Sequence, residues 1–241
     1  MMNFDKVSNL ITRLFFNDRW TCNACGKEIF EGYFCKDCQA KIVEIKENRC
    51  NHCGRLTISN VEFCDSCIEK NLSFDIARSV FLYKEPISYL VQNFKYNNLK
   101  YLGDYFAEKM VEVYKTENLT CDFITFIPMS EKRLKKREYN QAEILAKKIG
   151  KLLNLEVKDI ISKVKETENQ ANLSFKERTK NLEGSFKVNK KDVKNLKILL
   201  IDDVLTTGST VETISKELKK KGAYKVSVLT LLSVSKIKNQ N

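Results

Sequence analysis

The sequence lacks long hydrophobic runs, and proline, tryptophan and histidine are scarce. No apolar run approaches the roughly 18–20 residues that a membrane-spanning helix needs. The first residues also lack the pattern of a secretion signal, because Asp5 and Lys6 come early and Arg13 interrupts the apolar positions. One tryptophan, two prolines and 43% hydrophobic residues are ordinary for a soluble chain. These features predict a cytoplasmic protein with no membrane span.

The 241 residues can form one sizeable hydrophobic core and a small additional module. Apolar residues at helical spacing near the start predict a short amphipathic helix within residues 1–20. We expect this helix to dock on the chain's own core through Phe4, Val7, Leu10, Ile11 and Leu14.

Cysteine, in contrast, is abundant: eight of the nine cysteines form four Cys-x-x-Cys pairs. Each pair can direct two thiolates at one metal ion, and two pairs complete a tetrahedral zinc site. Disulfides are rare in cytoplasmic proteins. We therefore expect a double zinc-ribbon module at residues 21–70 with two structural zinc ions, held by Cys22, Cys25, Cys35, Cys38, Cys50, Cys53, Cys64 and Cys67.

The spacing does not decide which two Cys-x-x-Cys pairs share one zinc ion. Sequential pairing gives two compact sites and is favoured, and crossed pairing stays open. Redox dithiols or an iron–sulfur cluster are weaker alternatives, because four regularly spaced pairs are typical of structural zinc. His52 is redundant as a ligand beside four cysteines, and the ninth cysteine, Cys121, is interpreted as a small core residue.

The net charge of +11 comes entirely from residues 71–241. Residues 1–70 contain ten basic and ten acidic residues, which leaves 32 basic and 21 acidic residues for the rest of the chain. Eight thiolates and two zinc ions would make the ribbons about four charges negative. The charge argues against the ribbons as the main nucleic-acid contact and favours a structural or docking role.

Short apolar runs alternate with amphipathic patterns after residue 70. This alternation predicts an α/β domain at residues 71–241 with a doubly wound, mostly parallel sheet. No clear period is visible at residues 165–184, where we expect a long mobile loop. Strands are predicted at 76–83, 122–128, around 160–161, 186–188, 198–201 and 226–232, and helices after Pro86 and at about 102–114, 140–153 and 210–221.

Residues 198–210 carry the strongest functional pattern. Four aliphatic residues predict a strand buried on both faces, and Asp202 and Asp203 follow where this strand is expected to end. A hydroxyl-rich loop then opens a helix, whose free N–H groups and dipole favour an anion such as phosphate. Two adjacent carboxylates suit sugar hydroxyls or a hydrated metal ion. The simpler alternative is a buried strand followed by an N-capped helix.

This stretch resembles the 5-phosphoribosyl 1-pyrophosphate (PRPP) motif of type I phosphoribosyltransferases. The shared features are a hydrophobic strand, two acids, two further residues and Thr-Thr-Gly-x-Thr. The resemblance implies a phosphoribosyltransferase-like fold that binds PRPP with magnesium, in which Asp202 and Asp203 contact the ribose. The loop that holds the 5-phosphate would be Thr206, Thr207, Gly208, Ser209 and Thr210.

Four Cys-x-x-Cys pairs ahead of such a domain resemble the ComF family of competence-associated proteins. Residues 127–141 resemble that family's strand ending in proline, then arginine and Arg-Gly-Phe-Asn-Gln. Residues 167–186 resemble its Thr-x-x-Gln-x-x-Leu…Arg-x-x-Asn-x-x-Gly-x-Phe stretch. Glu138 departs from the pattern, because the family usually has glycine there. Lys163 and Lys165 replace arginines, which keeps the charge but loses the bidentate fork.

The family implies a protein that handles incoming single-stranded DNA during natural transformation, beside DNA-uptake helicase or channel proteins as candidate partners. It also implies that the loop after Pro128 holds pyrophosphate, so Met129 and Ser130 are expected PRPP contacts. Residues 165–184 resemble a flexible hood over PRPP, with Gln170 and Arg178 as candidate contacts.

A basic run beside the pyrophosphate loop is expected to bind the phosphates of PRPP, of DNA or of both. Its members are Lys132, Arg133, Lys135, Lys136 and Arg137. A solvated helix face is the alternative. Tyr96, Tyr101 and Tyr139 alternate with basic residues, as rings do in proteins that stack single-stranded bases, although each taken singly also fits core packing.

Three functions therefore compete. The first is PRPP binding and single-stranded DNA handling in natural transformation. The second is an active phosphoribosyltransferase acting on a nucleobase or another nitrogen nucleophile, in which Asp202 and Asp203 stabilise positive charge at C1. The third is a scaffold whose ribbons dock a partner; it is the weakest, because the acid pair and the loop are both intact.

Overall fold

The computed structural model describes residues 21–96, 99–165, 175–189 and 193–234. The helix expected within residues 1–20 and the candidate contact Gln170 lie outside these ranges. The strands are β1 (Ile76–Leu82), β2 (Phe123–Phe126), β3 (Ile161–Lys163), β4 (Phe186–Val188), β5 (Lys197–Leu205) and β6 (Lys225–Ser233). The helices are α1 (Lys36–Gln39), α2 (Asp65–Ile68), α3 (Ile87–Tyr96), α4 (Leu102–Thr116), α5 (Glu131–Arg137), α6 (Gln141–Leu153), α7 (Phe175–Asn181) and α8 (Ser209–Lys220).

A four-stranded sheet in the order β1–β6–β5–β2 forms the centre of the fold, and all of its strand pairs are parallel. Strand β5 is central, and its aliphatic residues are buried on both faces, as a continuous apolar run predicts. Leu199 and Ile201 pack into one hydrophobic core, whereas Ile198 and Leu200 pack into the other. The period of two along a strand therefore divides one apolar run between two cores.

Helices cover both faces of this sheet. On one face α4 and α6 pack against each other and against the strands, and α3 shares their core. On the other face α8 packs against β6 and β4. The α/β architecture with a doubly wound parallel sheet is thus confirmed. Among the described residues, no helix is both long enough and apolar enough to span a membrane.

The cysteine-rich segment packs against the sheet and continues both cores. Cys22, Cys35 and Cys38 belong to the core on the α4–α6 face, and Cys50 and Cys53 belong to the core on the α8 face. The chain between the two cysteine groups bonds to the free edge of β1. Its contacts run from Ile45 N to Val80 O (2.9 Å) and from Leu82 N to Val43 O (2.9 Å). An edge strand that would otherwise offer unpaired backbone groups is thereby covered.

The structure corrects three details of the expected elements. Strand β5 continues to Leu205, so Asp202 and Asp203 lie within the strand, near its carboxyl end, instead of following it. Strands β3 and β4 form a separate antiparallel pair outside the main sheet. Part of the expected 165–184 loop is the helix α7, a short exposed helix that no apolar stripe reveals in the sequence. The boundary at residue 70 stays a prediction.

Candidate functional site

Two groups of four cysteines form compact sites. Cys22, Cys25, Cys35 and Cys38 make one group and Cys50, Cys53, Cys64 and Cys67 the other, with all sulfurs of a group within 4.8 Å of one another. Tetrahedral zinc with bonds of about 2.3 Å requires sulfur–sulfur distances of about 3.8 Å. The observed Cys50–Cys67 and Cys53–Cys64 distances are 3.8 and 3.7 Å. The residues fit two structural zinc ions, and the grouping is sequential.

The surroundings of the cysteines agree with a structural metal. Sulfurs nearly 4 Å apart are not disulfide-bonded, because that bond is about 2.05 Å long. His52 is no ligand: its Nε2 lies 3.0 Å from Phe74 O, and its ring stacks on Phe74 with centroids 5.0 Å apart. Cys121 is partly buried, and burial raises the pKa of its thiol.

The acid pair lies at the carboxyl end of β5, where open parallel sheets bind ligands. Asp202 accepts a hydrogen bond from the backbone N–H of Asp203 (2.8 Å). Burial, together with the charge of Asp203, raises the pKa of Asp202 to about 8. The surroundings therefore favour the protonated form of Asp202, and a cation or hydroxyl donors would oppose this effect.

Lys95, which the sequence analysis did not single out, completes this acidic site. It is on the last turn of α3, and its Nζ lies 2.8 Å from Asp203 Oδ2. Only 12% and 16% of the two side chains are exposed, so water screens the pair weakly. Lys95 is far from Asp203 in the sequence, and no spacing rule connects a helix end with a distant strand end.

The loop between β5 and α8 has the conformation that an anion site needs. Gly208 caps the helix in the left-handed region (φ 85°), which residues with a β-carbon rarely adopt. Thr207 Oγ1 and Ser209 Oγ are 2.9 Å apart, and Ser209 also donates to the carbonyl of Phe175 at the start of α7 (3.3 Å). Thr206 is exposed and Thr210 half-buried. The loop therefore presents hydroxyls and backbone N–H groups at a helix start.

The neighbouring loop follows β2 and ends in Met129 and Ser130 at the same edge of the sheet. Met129 is half-buried. Ser130 is 4% exposed, and its hydroxyl has no hydrogen-bond partner among the described residues. Asn140 holds this loop, because its side-chain amide donates to Ile127 O (2.9 Å) while its oxygen caps α6. The expected pyrophosphate loop thus follows a strand adjacent to β5, at the same edge of the sheet as the loop 206–210.

The expected basic run forms helix α5, which buries none of its residues. Its three lysines, Lys132, Lys135 and Lys136, are exposed, whereas Arg133 and Arg137 are half-buried. Arg137 turns toward α3: its Nη2 donates to Tyr96 OH (2.6 Å), and its guanidinium lies 4.6 Å from the centroid of the Tyr96 ring. Tyr96 itself remains 53% exposed.

Of the three expected stacking tyrosines, Tyr139 is closed to bases, whereas Tyr101 is 51% exposed and also has a contact with the first cysteine group. Tyr139 is buried and donates its hydroxyl to the carbonyl of Phe94, so its ring is not open to bases. Tyr101 donates to Asn23 and so joins α4 to the first cysteine group. Arg178 is half-buried on α7, whose first residue meets the loop before α8.

These features define a class of protein: a double zinc ribbon joined to a phosphoribosyltransferase-like domain. Residues 11–68 match the family model of the double zinc ribbon domain, and residues 140–239 match that of the phosphoribosyl transferase domain.

The relatives narrow this class to one family. The chain is 32% identical to Competence protein F of Haemophilus influenzae over 224 residues, which cover 89% of this chain and 96% of that protein. It is 29% identical to DNA utilization protein YhgH of Salmonella typhimurium, over 82% of this chain and 88% of that one. Competence protein ComFC of Streptococcus pneumoniae is 27% identical, with coverage of 82% and 86%. The chain belongs to the ComF family.

Proposed function

We propose that this protein binds PRPP with magnesium at the carboxyl end of β5 and handles single-stranded DNA in natural transformation. The observation that carries the first half is the acid pair on β5, directly ahead of a hydroxyl-rich loop at the N-terminus of α8. A phosphate fits the loop and ribose hydroxyls fit the carboxylates, so the two together select a phosphorylated sugar.

Each end of PRPP has a matching element. The 5-phosphate would accept hydrogen bonds from the loop 206–210, and Asp202 and Asp203 would accept them from the ribose hydroxyls. The pyrophosphate would extend toward Ser130, whose buried hydroxyl lacks a partner among the described residues. Magnesium would bind the pyrophosphate oxygens and neutralise part of their charge. Lys95 adds a cation beside the acids.

Calorimetric titrations with parts of the ligand test this arrangement. PRPP with magnesium should bind saturably, and ribose 5-phosphate should compete with it more weakly because it lacks the pyrophosphate contacts. Replacing Gly208 with valine should abolish binding of both, since a β-branched residue cannot adopt the loop conformation. Binding of PRPP that ribose 5-phosphate does not displace would contradict the assignment of the loop.

The second half of the proposal rests on the surface next to the acid pair and on the relatives. Tyr96 directly follows Lys95, is half exposed and is stacked by Arg137, an arrangement on which a base can stack. The exposed lysines of α5 are on the same helix as Arg137 and suit DNA phosphates. The names of the relatives, which refer to competence and to DNA utilization, agree with this role.

Fluorescence anisotropy with labelled single-stranded DNA tests this surface. Replacing Tyr96 with alanine should weaken binding about tenfold, because stacking contributes about 1–3 kcal/mol per base. Tyr224→Ala is the matched control: Tyr224 is 67% exposed but lies ahead of β6, at the opposite end of the sheet. Affinity should also fall steeply with salt. Equal losses in both variants, or binding insensitive to salt, would refute the proposed surface.

Phosphoribosyl transfer is the second candidate function, favoured by the intact acid pair. In it the bond from C1 to the pyrophosphate oxygen breaks, pyrophosphate leaves and a nitrogen nucleophile bonds to C1 and loses its proton. Asp202 and Asp203 would stabilise the positive charge that develops on the ribose. Pyrophosphate release that depends on both an acceptor and Asp203 would establish this activity, whereas release unchanged in Asp203→Asn would exclude it.

A further inference from the structure

The second zinc site shares one arginine with the proposed phosphate loop. Arg55 follows the Cys50/Cys53 turn, and its backbone is bonded to that turn on both sides. Its carbonyl accepts from Cys50 N (2.9 Å), and its N–H is hydrogen-bonded to the Cys53 sulfur. Hydrogen bonds of this kind orient the ligands of a metal site. The backbone of Arg55 is therefore tied to two of the four cysteines of the second zinc site.

The side chain of Arg55 reaches the loop between β5 and α8. It is 6% exposed, and its Nη2 donates to the carbonyl of Thr206 (2.5 Å). The same nitrogen would lie 3.8 Å from a β-carbon placed on Gly208. The second terminal nitrogen, Nη1, is buried with no hydrogen-bond partner among the described residues. A buried cation thus lies directly against the loop and fixes the orientation of its first peptide group.

Other contacts from the same segment reinforce this connection. Ser73 donates from both its N–H and its hydroxyl to the carboxylate of Glu212 in the first turn of α8 (2.7 Å each). Lys70 lies over the ring of Phe175 (4.0 Å), at the start of α7. The segment that carries the second zinc site therefore contacts the loop, the helix α8 that follows it and the helix α7.

We propose that Arg55 is a positioning residue of the phosphate loop and that zinc in the second site holds it in place. This inference rests on the proposed phosphate-binding role of the loop. Because Arg55 binds the carbonyl of Thr206, the peptide groups that follow keep the orientation in which their N–H groups face an anion. Its buried positive charge also favours an anion nearby. The first zinc site has no such contact with this loop among the described residues.

Hydrogen exchange of the backbone amides from Thr207 to Thr213 tests the coupling without any ligand. Arg55→Ala should speed their exchange about tenfold, because a hydrogen bond from a charged group is lost. Arg49→Ala is the matched control, since Arg49 belongs to the same segment but pairs with Glu117 away from the loop. Loss of the second zinc through Cys64→Ser should reproduce the Arg55 effect, and loss of the first through Cys25→Ser should not, with zinc content measured in each.

PRPP titrations of the same variants complete the test. Arg55→Ala should weaken binding of PRPP with magnesium about tenfold, and Arg55→Lys should restore part of it. Unchanged exchange in Arg55→Ala, or equal acceleration in Arg49→Ala, would overturn the inference. Absence of PRPP binding by the wild-type protein would overturn the proposed function instead, and the exchange measurement would still decide the coupling.

Discussion

At the residue scale, the acid pair places two carboxylates side by side, where the hydroxyls or the cation of a ligand could contact them. Two adjacent carboxylates repel each other; this repulsion and burial raise the pKa of Asp202, and Lys95 lies against Asp203. Binding of a ligand with a cation and several hydroxyls would change both the protonation of Asp202 and the ion pair between Lys95 and Asp203. The acids could be predicted from the sequence by the motif, but Lys95 could not, because only the fold brings α3 to this strand end.

Replacing Lys95 with methionine should weaken binding of PRPP with magnesium about tenfold. The variant removes the cation that offsets the charge of Asp203, while it keeps a side chain of similar length. Lys100→Met is the control, because Lys100 is exposed and lies over the ring of Tyr139. Calorimetry on both variants measures the difference. Tighter binding in Lys95→Met would mean that this lysine obstructs the ligand.

The affinity for PRPP should rise between pH 6 and pH 8. The pKa of Asp202 is raised to about 8, so the free protein must release this proton before the carboxylate can accept hydroxyl donors. For the same reason Asp202 binds its proton more tightly in the folded than in the unfolded chain, and its contribution to stability falls as pH rises from about 4 to about 8. Titration and urea unfolding across this range should show both trends.

Asp202→Asn is the control for this pH dependence. The variant cannot ionise at this position, so the slope of stability against pH should become flatter and the rise in affinity should disappear. A wild-type affinity that is constant between pH 6 and pH 8 would contradict the assigned protonation of Asp202.

At the element scale, motif residues that look functional prove to connect elements. Asn140 caps α6 and bonds to the end of β2, and Gln141 donates to the carbonyls of Phe94 and Lys95. The Asn-Gln pair therefore fixes the end of α3 that carries Lys95. The match of this pair to the family motif indicates a function shared with the family, but only the hydrogen bonds show that the pair positions the end of α3.

The corner between α5 and α6 explains one of the departures from the family pattern, Glu138. This residue ends α5 in the left-handed region (φ 66°), where glycine has no β-carbon clash. A left-handed residue costs about 1–2 kcal/mol, and glycine loses about 0.5–1 kcal/mol of that gain through backbone entropy. Glu138→Gly should therefore raise the free energy of unfolding by about 0.5–1 kcal/mol.

Urea unfolding measures this effect, with Lys136→Gly as the control. Lys136 is inside the same helix, where glycine should lower stability by about 1 kcal/mol. Destabilisation of similar size in both variants would show that the left-handed conformation carries no strain at residue 138.

At the scale of the whole molecule, the sequence predicts the alternating strands and helices because each keeps its apolar period. It also predicts the eight zinc ligands, since Cys-x-x-Cys spacing is local. It does not predict that the cysteine groups continue the cores on opposite faces of the sheet. Such packing depends on contacts between distant segments, among them Gly54, whose β-carbon would lie 2.5 Å from Ala77 O. The ribbons are thus part of the same packed body as the sheet.

The most direct test of the central claim is a calorimetric titration of the zinc-loaded protein with PRPP and magnesium. The wild type is compared with Asp203→Asn and with Asp104→Asn, which changes charge equally at an exposed residue of α4 that pairs with Lys148. Saturable binding in the wild type and in Asp104→Asn, with at least tenfold loss in Asp203→Asn, is the expected result. Absence of binding in the wild type, or equal affinity in all three, would contradict a PRPP site on β5.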